Sequence, residues 1–230
     1  MIMYLLEGNI GVGKSTFLTK FAQHCPDITV VQEPLDTWDK HLSGQSLLER
    51  FYTNPHRWAY TIETMTMMAR IRDHMREQEH QNPLRIMERS IYSGHYCFGI
   101  NSKINGFLSD LEWSIYSQWI DHSFNKKCLP PKGFIYLRTT PEVCFERIGK
   151  RGRESEKGIS FEYVKQIHDQ HEKFLINKEG LTSSLKKVSV LVLDCTQDFA
   201  NDDDIFAEHL EQLRKFFAPS RQAIARQQSL

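Results

Sequence analysis

The stretch that decides the fold is Met3-Tyr4-Leu5-Leu6-Glu7-Gly8-Asn9-Ile10-Gly11-Val12-Gly13-Lys14-Ser15-Thr16. A short apolar run leads into a glycine-rich turn, and a helical pattern follows from Lys14 to His24. Gly8 to Ser15 fit G-x-x-x-x-G-K-[ST] in the strand–turn–helix setting that the chemistry requires. Glycines let backbone N–H groups close round phosphate oxygens, and the helix N-terminus adds positive potential. Lys14 would reach the terminal phosphates, and the Ser15 hydroxyl would ligate Mg²⁺. Residues Gly8, Asn9, Ile10, Gly11, Val12, Gly13, Lys14, Ser15 and Thr16 therefore form a candidate nucleoside triphosphate site. The competing reading, a glycine-rich turn that binds nothing, leaves the complete motif unexplained.

Outward from this turn, short apolar runs alternate with helical patterns, the arrangement of a parallel sheet covered by helices. Strands are expected at Met3–Glu7, Thr29–Glu33, Leu84–Glu88, Phe134–Arg138 and Val188–Asp194. Helices are expected near Lys14–His24, Ser46–Tyr52, Pro55–Glu79, Ser90–Phe98, Leu108–Asn125, Pro141–Lys150, Phe161–Lys178 and Asp202–Phe217. Pro55, Pro141 and the acidic run Asp202–Asp204 sit where helix starts are favoured. The fold class is α/β, with five parallel strands. No repeat or linker divides the chain, so residues 1–218 read as one domain. Residues 219–230, polar and unpatterned from Pro219, read as a loose tail.

Composition narrows the function classes. The chain has 230 residues, 29 basic and 29 acidic, and a formal net charge of zero, which argues against a broad nucleic-acid-binding face. Five scattered cysteines form no C-x-x-C pair, so neither a disulfide framework nor a zinc site is indicated and a reducing compartment fits. No apolar run reaches the length of a membrane span, and the first strand starts at Met3, so the cytoplasm is the expected location. His168 and His171 stand three apart on a charged helical stretch with no third ligand. Met65, Met67 and Met68 read as core filler on the long helix.

The triphosphate motif does not name the acceptor. Asn125-Lys126-Lys127-Cys128 lacks the aspartate of the guanine-reading N-K-x-D, which turns the reading away from a GTPase and toward a small-molecule acceptor. The second strand ends in Glu33-Pro34-Leu35-Asp36-Thr37-Trp38. A carboxylate at the C-terminal end of a strand, near the phosphate loop, can act as general base for an attacking hydroxyl. A lone acid there would read as a solvated strand end.

It is not alone. E-P-x-x-x-W resembles the base-bearing motif of the deoxynucleoside kinases, the family of deoxycytidine, deoxyguanosine and mitochondrial thymidine kinases. Three further segments carry the likeness: Phe51-Tyr52 with Pro55 and Trp58; Glu88-Arg89-Ser90-Ile91-Tyr92-Ser93; and Arg147-x-x-x-Arg151-Gly152-Arg153-x-x-Glu156. The likeness runs from Met3 to Phe217 and is similar to the deoxycytidine kinase branch. It implies a P-loop kinase in which ATP gives its γ-phosphoryl group to the 5′-hydroxyl of a deoxynucleoside. Glu33 would be the catalytic base, Arg89 would hold Glu33 and the reacting phosphoryl, and Glu88 would position Mg²⁺ with Ser15. Arg147, Arg151 and Arg153 would form a cationic lid. Tyr52 and Glu156 would bind the sugar 3′-OH, and Ile10, Leu35, Trp38, Leu48, Phe51, Ile62 and Phe98 would wall the base. Asp198 and Phe199 would lie beneath the adenine of ATP. The likeness also implies a homodimer through the long helices at Pro55–Glu79 and Leu108–Asn125.

The chain departs from the family pattern around the base. Relatives carry glutamine at the position of Glu63; the deoxycytidine kinase branch carries aspartate at Gly94 and arginine at His95. Arg70 keeps the arginine of the deoxycytidine and deoxyguanosine kinases, and Ser155 replaces a lid glutamate. An ionised Glu63 only accepts, whereas glutamine also donates. Guanine offers N1–H and N2–H as adjacent donors, and its O6 and N7 accept from an arginine. Glu63 with Arg70 thus points to deoxyguanosine; a protonated Glu63 imitating glutamine points to broad specificity. Two alternatives remain in view: a thymidylate-like monophosphate kinase, and a catalytically silent nucleotide-binding subunit.

Overall fold

The computed structural model describes residues 2–35, 39, 44, 46–80 and 84–228. Strand β1 (Ile2–Gly8) lies in the middle of a five-stranded, wholly parallel sheet. It pairs with β3 (Leu84–Glu88) on one side and β4 (Gly133–Arg138) on the other. The edges are β2 (Thr29–Val31) against β3 and β5 (Ser189–Asp194) against β4, giving the order β2-β3-β1-β4-β5. With neighbours on both sides and helices on both faces, β1 has no solvent face, and its residues from Met3 to Gly8 are buried. Leu5 and Leu6 point to opposite faces and are both fully covered; full burial of such a side chain stabilises by about 1.5–3 kcal/mol. The loop that leaves β1 is therefore held on the most constrained strand of the sheet.

One core lies under α1 (Lys14–His24), α7 (Pro141–Arg151) and α10 (Asp203–Gln228), with Phe17, Phe21, Cys144, Ile148, Phe206 and Phe217 packed on Leu6 and Ile135. The other face packs Leu5, Met87 and Tyr136 against helix α3 (Pro55–Glu79), α4 (Ile91–Ser93) and α6 (Asp110–Lys126). Between α4 and α5 (Ile100–Ile104), residues Gly94–Gly99 form a π-helical turn. Helix α2 (Leu47–Thr53) precedes α3 and packs Phe51 and Leu48 beside Ala59 and Ile62. Helix α8 (Phe161–His171) runs into a second π-helical turn at Glu172–Ile176, and the short α9 (Ser183–Lys186) precedes β5. Among the described residues, no helix is long and apolar enough to cross a membrane.

Four sequence expectations need correction. Residues beyond Pro219 are not a loose tail over the described span, because α10 continues through Pro219 to Gln228. A helix-interior proline loses one backbone hydrogen bond. Here tertiary contacts outweigh the loss: buried Ser220 shares a 2.7 Å hydrogen bond with Tyr4, Arg221 pairs with Asp27 at 2.7 Å, and Ile224 packs on the core. Met68 is not core filler but 61% exposed, while Met67 is buried. His171 is not on a charged face; it is fully buried and stacked on Tyr136 at 6.0 Å between ring centroids. Strand β2 also stops at Val31, so Glu33 has left the sheet edge and turned into the cavity above it.

Candidate active site

The loop after β1 is shaped by its glycines. Gly11 and Gly13 have φ of 81° and 103°, and a Cβ on Gly11 would lie 2.4 Å from the Cys144 carbonyl oxygen. Only a residue without a side chain brings the loop this close to α7. Lys14 is buried, and its Nζ donates to the carbonyls of Gly8 (3.1 Å) and Asn9 (2.8 Å). Asn9 anchors the loop from the other side through a bond to the Val164 carbonyl. Burial, and then the Arg89 cation, push the Lys14 ammonium down to about 7. Ser15 Oγ lies 3.1 Å from both carboxylate oxygens of Glu88, at the end of β3.

Arg89 follows at φ 58°, a left-handed conformation that is uncommon for a residue with a side chain and tends to mark functional sites. Its N–H still continues the sheet by donating to the Leu6 carbonyl at 2.9 Å, while the turn throws its guanidinium toward Glu33. Arg89 Nε is 3.2 Å from Glu33 Oε2. On the other oxygen, Oε1, Arg70 of α3 donates from Nη2 at 2.8 Å and from Nε at 3.3 Å. All three side chains are close to 10% exposed. Burial alone would raise the Glu33 carboxyl; Arg70 and Arg89 outweigh it and hold the group below its ordinary value, so it is ionised at neutral pH. Arg89 Nη1 is buried without a hydrogen-bond partner among the described residues. An orphaned guanidinium donor beside a phosphate loop fits an anion.

A cavity partly open to solvent lies above these groups. Glu33, Leu35, Leu48, Phe51, Tyr52, Ile62, Glu63, Arg70, Phe98 and Glu156 line it, with Ile10, Lys14, Ser15, Glu88 and Arg89 at the phosphate end. Trp38, expected in the apolar wall, lies outside the described residues. Two wall residues were missed by the sequence reading, Thr66 and Tyr163. Thr66 is three residues after Glu63 on α3, so helical spacing could have found it; Tyr163 comes from the start of α8 and carries no local signal. Glu63 is buried, accepts a 2.8 Å hydrogen bond from Ser102, and is pushed by burial up to about 7 against the pull of Ser102 and Arg70. Gly94 is not itself in the wall but stands behind Arg70, where a Cβ would lie 2.8 Å from Arg70 Nη1.

The three arginines expected to act together are divided. Arg151 and Arg153 reach the cavity and both pair with buried Glu156, at 2.6 and 3.5 Å. Tyr52 is beside them; burial, then Glu156, raises its phenol. Arg147 points elsewhere. Its guanidinium donates to the carbonyls of Val12, Cys195 and Gln197, at 3.0–3.2 Å, and it lines a second cavity with Val12, Asp198 and Phe199. Gly11, Gly13, Thr16 and Arg151 border both cavities, so the phosphate loop is the partition between them.

Comparison with known proteins meets this geometry. The sequence model of the family described as deoxynucleoside kinase matches residues 5–218. The chain belongs to the deoxynucleoside kinase family. Among curated members of this kinase family, deoxycytidine kinase 2 of Gallus gallus is 36% identical over 220 residues, covering 86% of this chain and 83% of that one. Deoxycytidine kinase of Homo sapiens is 34% identical over 236 residues, 93% and 90% of the two chains. The mitochondrial deoxyguanosine kinase of Xenopus laevis is 33% identical over 238 residues, 93% and 88%. The family match does not favour a monophosphate kinase or a silent subunit.

Lys14 gives the phosphate site a proton signature. With its ammonium pushed down to about 7, Lys14 loses charge above neutrality, and phosphate oxygens brought against the amine favour its return. Binding of a nucleoside triphosphate at pH 8 is expected to take up close to one proton, read as the dependence of calorimetric binding enthalpy on the buffer's ionisation heat. Binding enthalpies that do not vary with the buffer would rule this out.

Proposed function

We propose that the protein transfers the γ-phosphoryl group of ATP to the 5′-hydroxyl of a deoxynucleoside, with Glu33 as general base. One observation carries this reading. A buried, ionised carboxylate flanked by two arginines lies in an acceptor-sized cavity that the phosphate loop separates from a second cavity. ATP fits the second cavity, over Phe199 and Arg147, with its phosphates crossing the loop at Lys14. The deoxynucleoside fits the first, its sugar toward Tyr52 and Glu156 and its base between Phe98, Ile62 and Leu48.

Phosphoryl transfer is mainly positioning and charge stabilisation. Glu33 takes the 5′-OH proton; Arg89, with its orphaned Nη1, faces the moving phosphoryl; Arg151 and Arg153 exchange their hold on Glu156 for phosphate oxygens. The hydroxyl of Ser15 and the carboxylate of Glu88 are hard oxygen donors held side by side, a pair that suits Mg²⁺. Bound there, Mg²⁺ would neutralise charge on the phosphates. A monophosphate acceptor would bring a charged phosphate against Glu33, which opposes the thymidylate-like alternative. Replacing Glu33 by glutamine is expected to lower kcat by about 10²-fold or more, with triphosphate affinity held within about threefold. Retained turnover would refute the assignment.

We also assign base preference to Glu63. Ionised, it accepts from the N1–H and N2–H of guanine; protonated, it behaves as glutamine does in an amide-reading site. Because its carboxyl is pushed to about 7, preference for deoxyguanosine over deoxycytidine rises with pH through neutrality. Glu63→Gln is expected to lower that preference about tenfold, the worth of one charge-assisted hydrogen bond, and to remove its pH dependence. An unchanged ranking of the four deoxynucleosides would end this reading.

A homodimer is proposed through α3 and α6, whose outer faces expose Met68, Leu111, Ile115 and Trp119 beside a groove formed by Met67, Ile71 and Met75. Contiguous apolar surface of this kind marks an interface. Light scattering should give twice the chain mass, and Trp119→Glu should return it to the single-chain value; a monomeric parent protein would contradict the proposal.

A further inference from the structure

Arg70 and Arg89 both hold the Glu33 carboxyl ionised against its burial, Arg70 more strongly than Arg89. Arg70 adds two donors to the same oxygen, Oε1, so both oxygens of the general base face guanidinium groups. That arrangement weakens a base. Efficient proton abstraction needs a free lone pair and a proton affinity near the working pH, yet Glu33 is held below the ordinary carboxylate range.

Arg70 also belongs to a different part of the cavity. It stands seven residues after Glu63 on α3, two turns on and along the same face. Its charge is favoured by both Glu33 and Glu63, against the cost of burial. Its guanidinium and that of Arg89 both lie over the ring of Phe98, at 5.7 and 4.8 Å. On its far side, Gly94 presents no Cβ, and a side chain there would press on Nη1. A guanidinium between two carboxylates, Glu33 and Glu63, that both favour its charge has more than one partner within reach.

We propose that Arg70 is a positioning residue that couples nucleobase recognition to the general base: donors that turn to the acceptor edge of the base are withdrawn from Glu33. A base with an acceptor edge within reach of α3, as guanine has in O6 and N7, thereby frees an oxygen of Glu33 for the 5′-hydroxyl. The identity of the base is then read in kcat as well as in KM. The groups that face Glu33 are Arg70 from α3, Arg89 after β3 and Lys14 from the phosphate loop. Of these, only Arg70 also reaches toward Glu63.

This inference rests on Glu33 acting as general base, and the experiment separates the two. Glu33→Gln that keeps its turnover removes the base assignment itself; the tests on Arg70 are read against an inactive Glu33→Gln. In Arg70→Met, the acid limb of the kcat/KM profile is expected to move up by one pH unit or more. The kcat values for the four deoxynucleosides are expected to converge within about threefold while KM rises. Gly94→Asp offers Arg70 a competing carboxylate and should move the same limb upward with Arg70 intact. Arg70→Lys, which keeps the charge but loses the paired donors, should fall between, and it covers the case in which the methionine variant does not fold. An acid limb and a kcat ranking left unchanged in the folded variants would overturn the coupling and leave Arg70 a structural ion pair.

Discussion

Glu33 sits between Arg70 and Arg89, and the three charges come from three separate elements. Glu33 leaves the edge strand β2, Arg89 follows the inner strand β3, and Arg70 projects from α3. A carboxylate buried this deeply would be protonated without its partners, and a guanidinium buried beside it would be uncompensated. Removing one member of such a group typically costs about 3–5 kcal/mol, because a charge is left without its counterion. Their pairing ties α3 to the chain beyond the ends of β2 and β3, beside the cavity.

The remaining geometry follows from where the sheet puts the phosphate loop. Strand β1 is central and covered on both faces, so the loop that leaves it cannot shift without disturbing both cores. Gly11 brings that loop against α7, and the two cavities share it as a wall. A triphosphate lying across the wall would point its terminal phosphate at the side where Glu33 and Arg89 stand. This is the crevice beyond the carboxyl ends of parallel strands, where the strand order reverses on either side of β1.

The sequence made some of this legible and hid the rest for physical reasons. The phosphate loop was readable because its chemistry is contiguous: strand, glycines, lysine and hydroxyl occur within fourteen residues. The parallel sheet was readable because buried strands are short apolar runs, and β1, β3 and β4 fall where those runs are. Strand β2 was read too long, since only pairing with β3 decides where an edge strand ends. Helix α10 was read too short, because a proline rule is local and the contacts of Ser220 and Arg221 with Tyr4 and Asp27 are about 200 residues distant. Glu33, Tyr52, Arg89 and Glu156, named together through the resemblance to deoxynucleoside kinases, line one cavity. It did not separate Arg147 from Arg151, since residues four apart share a helix face and only the carbonyls of Val12, Cys195 and Gln197 pull one guanidinium away. The Arg70–Glu33 bond was also invisible, being made across 37 residues between α3 and the chain beyond the end of β2.

The most direct test is product identification: the purified protein is incubated with Mg-ATP and each of the four deoxynucleosides in turn, and with dTMP. The account predicts a 5′-monophosphate from at least one deoxynucleoside and no reaction of dTMP. Conversion of dTMP to its diphosphate with no deoxynucleoside phosphorylated would contradict it.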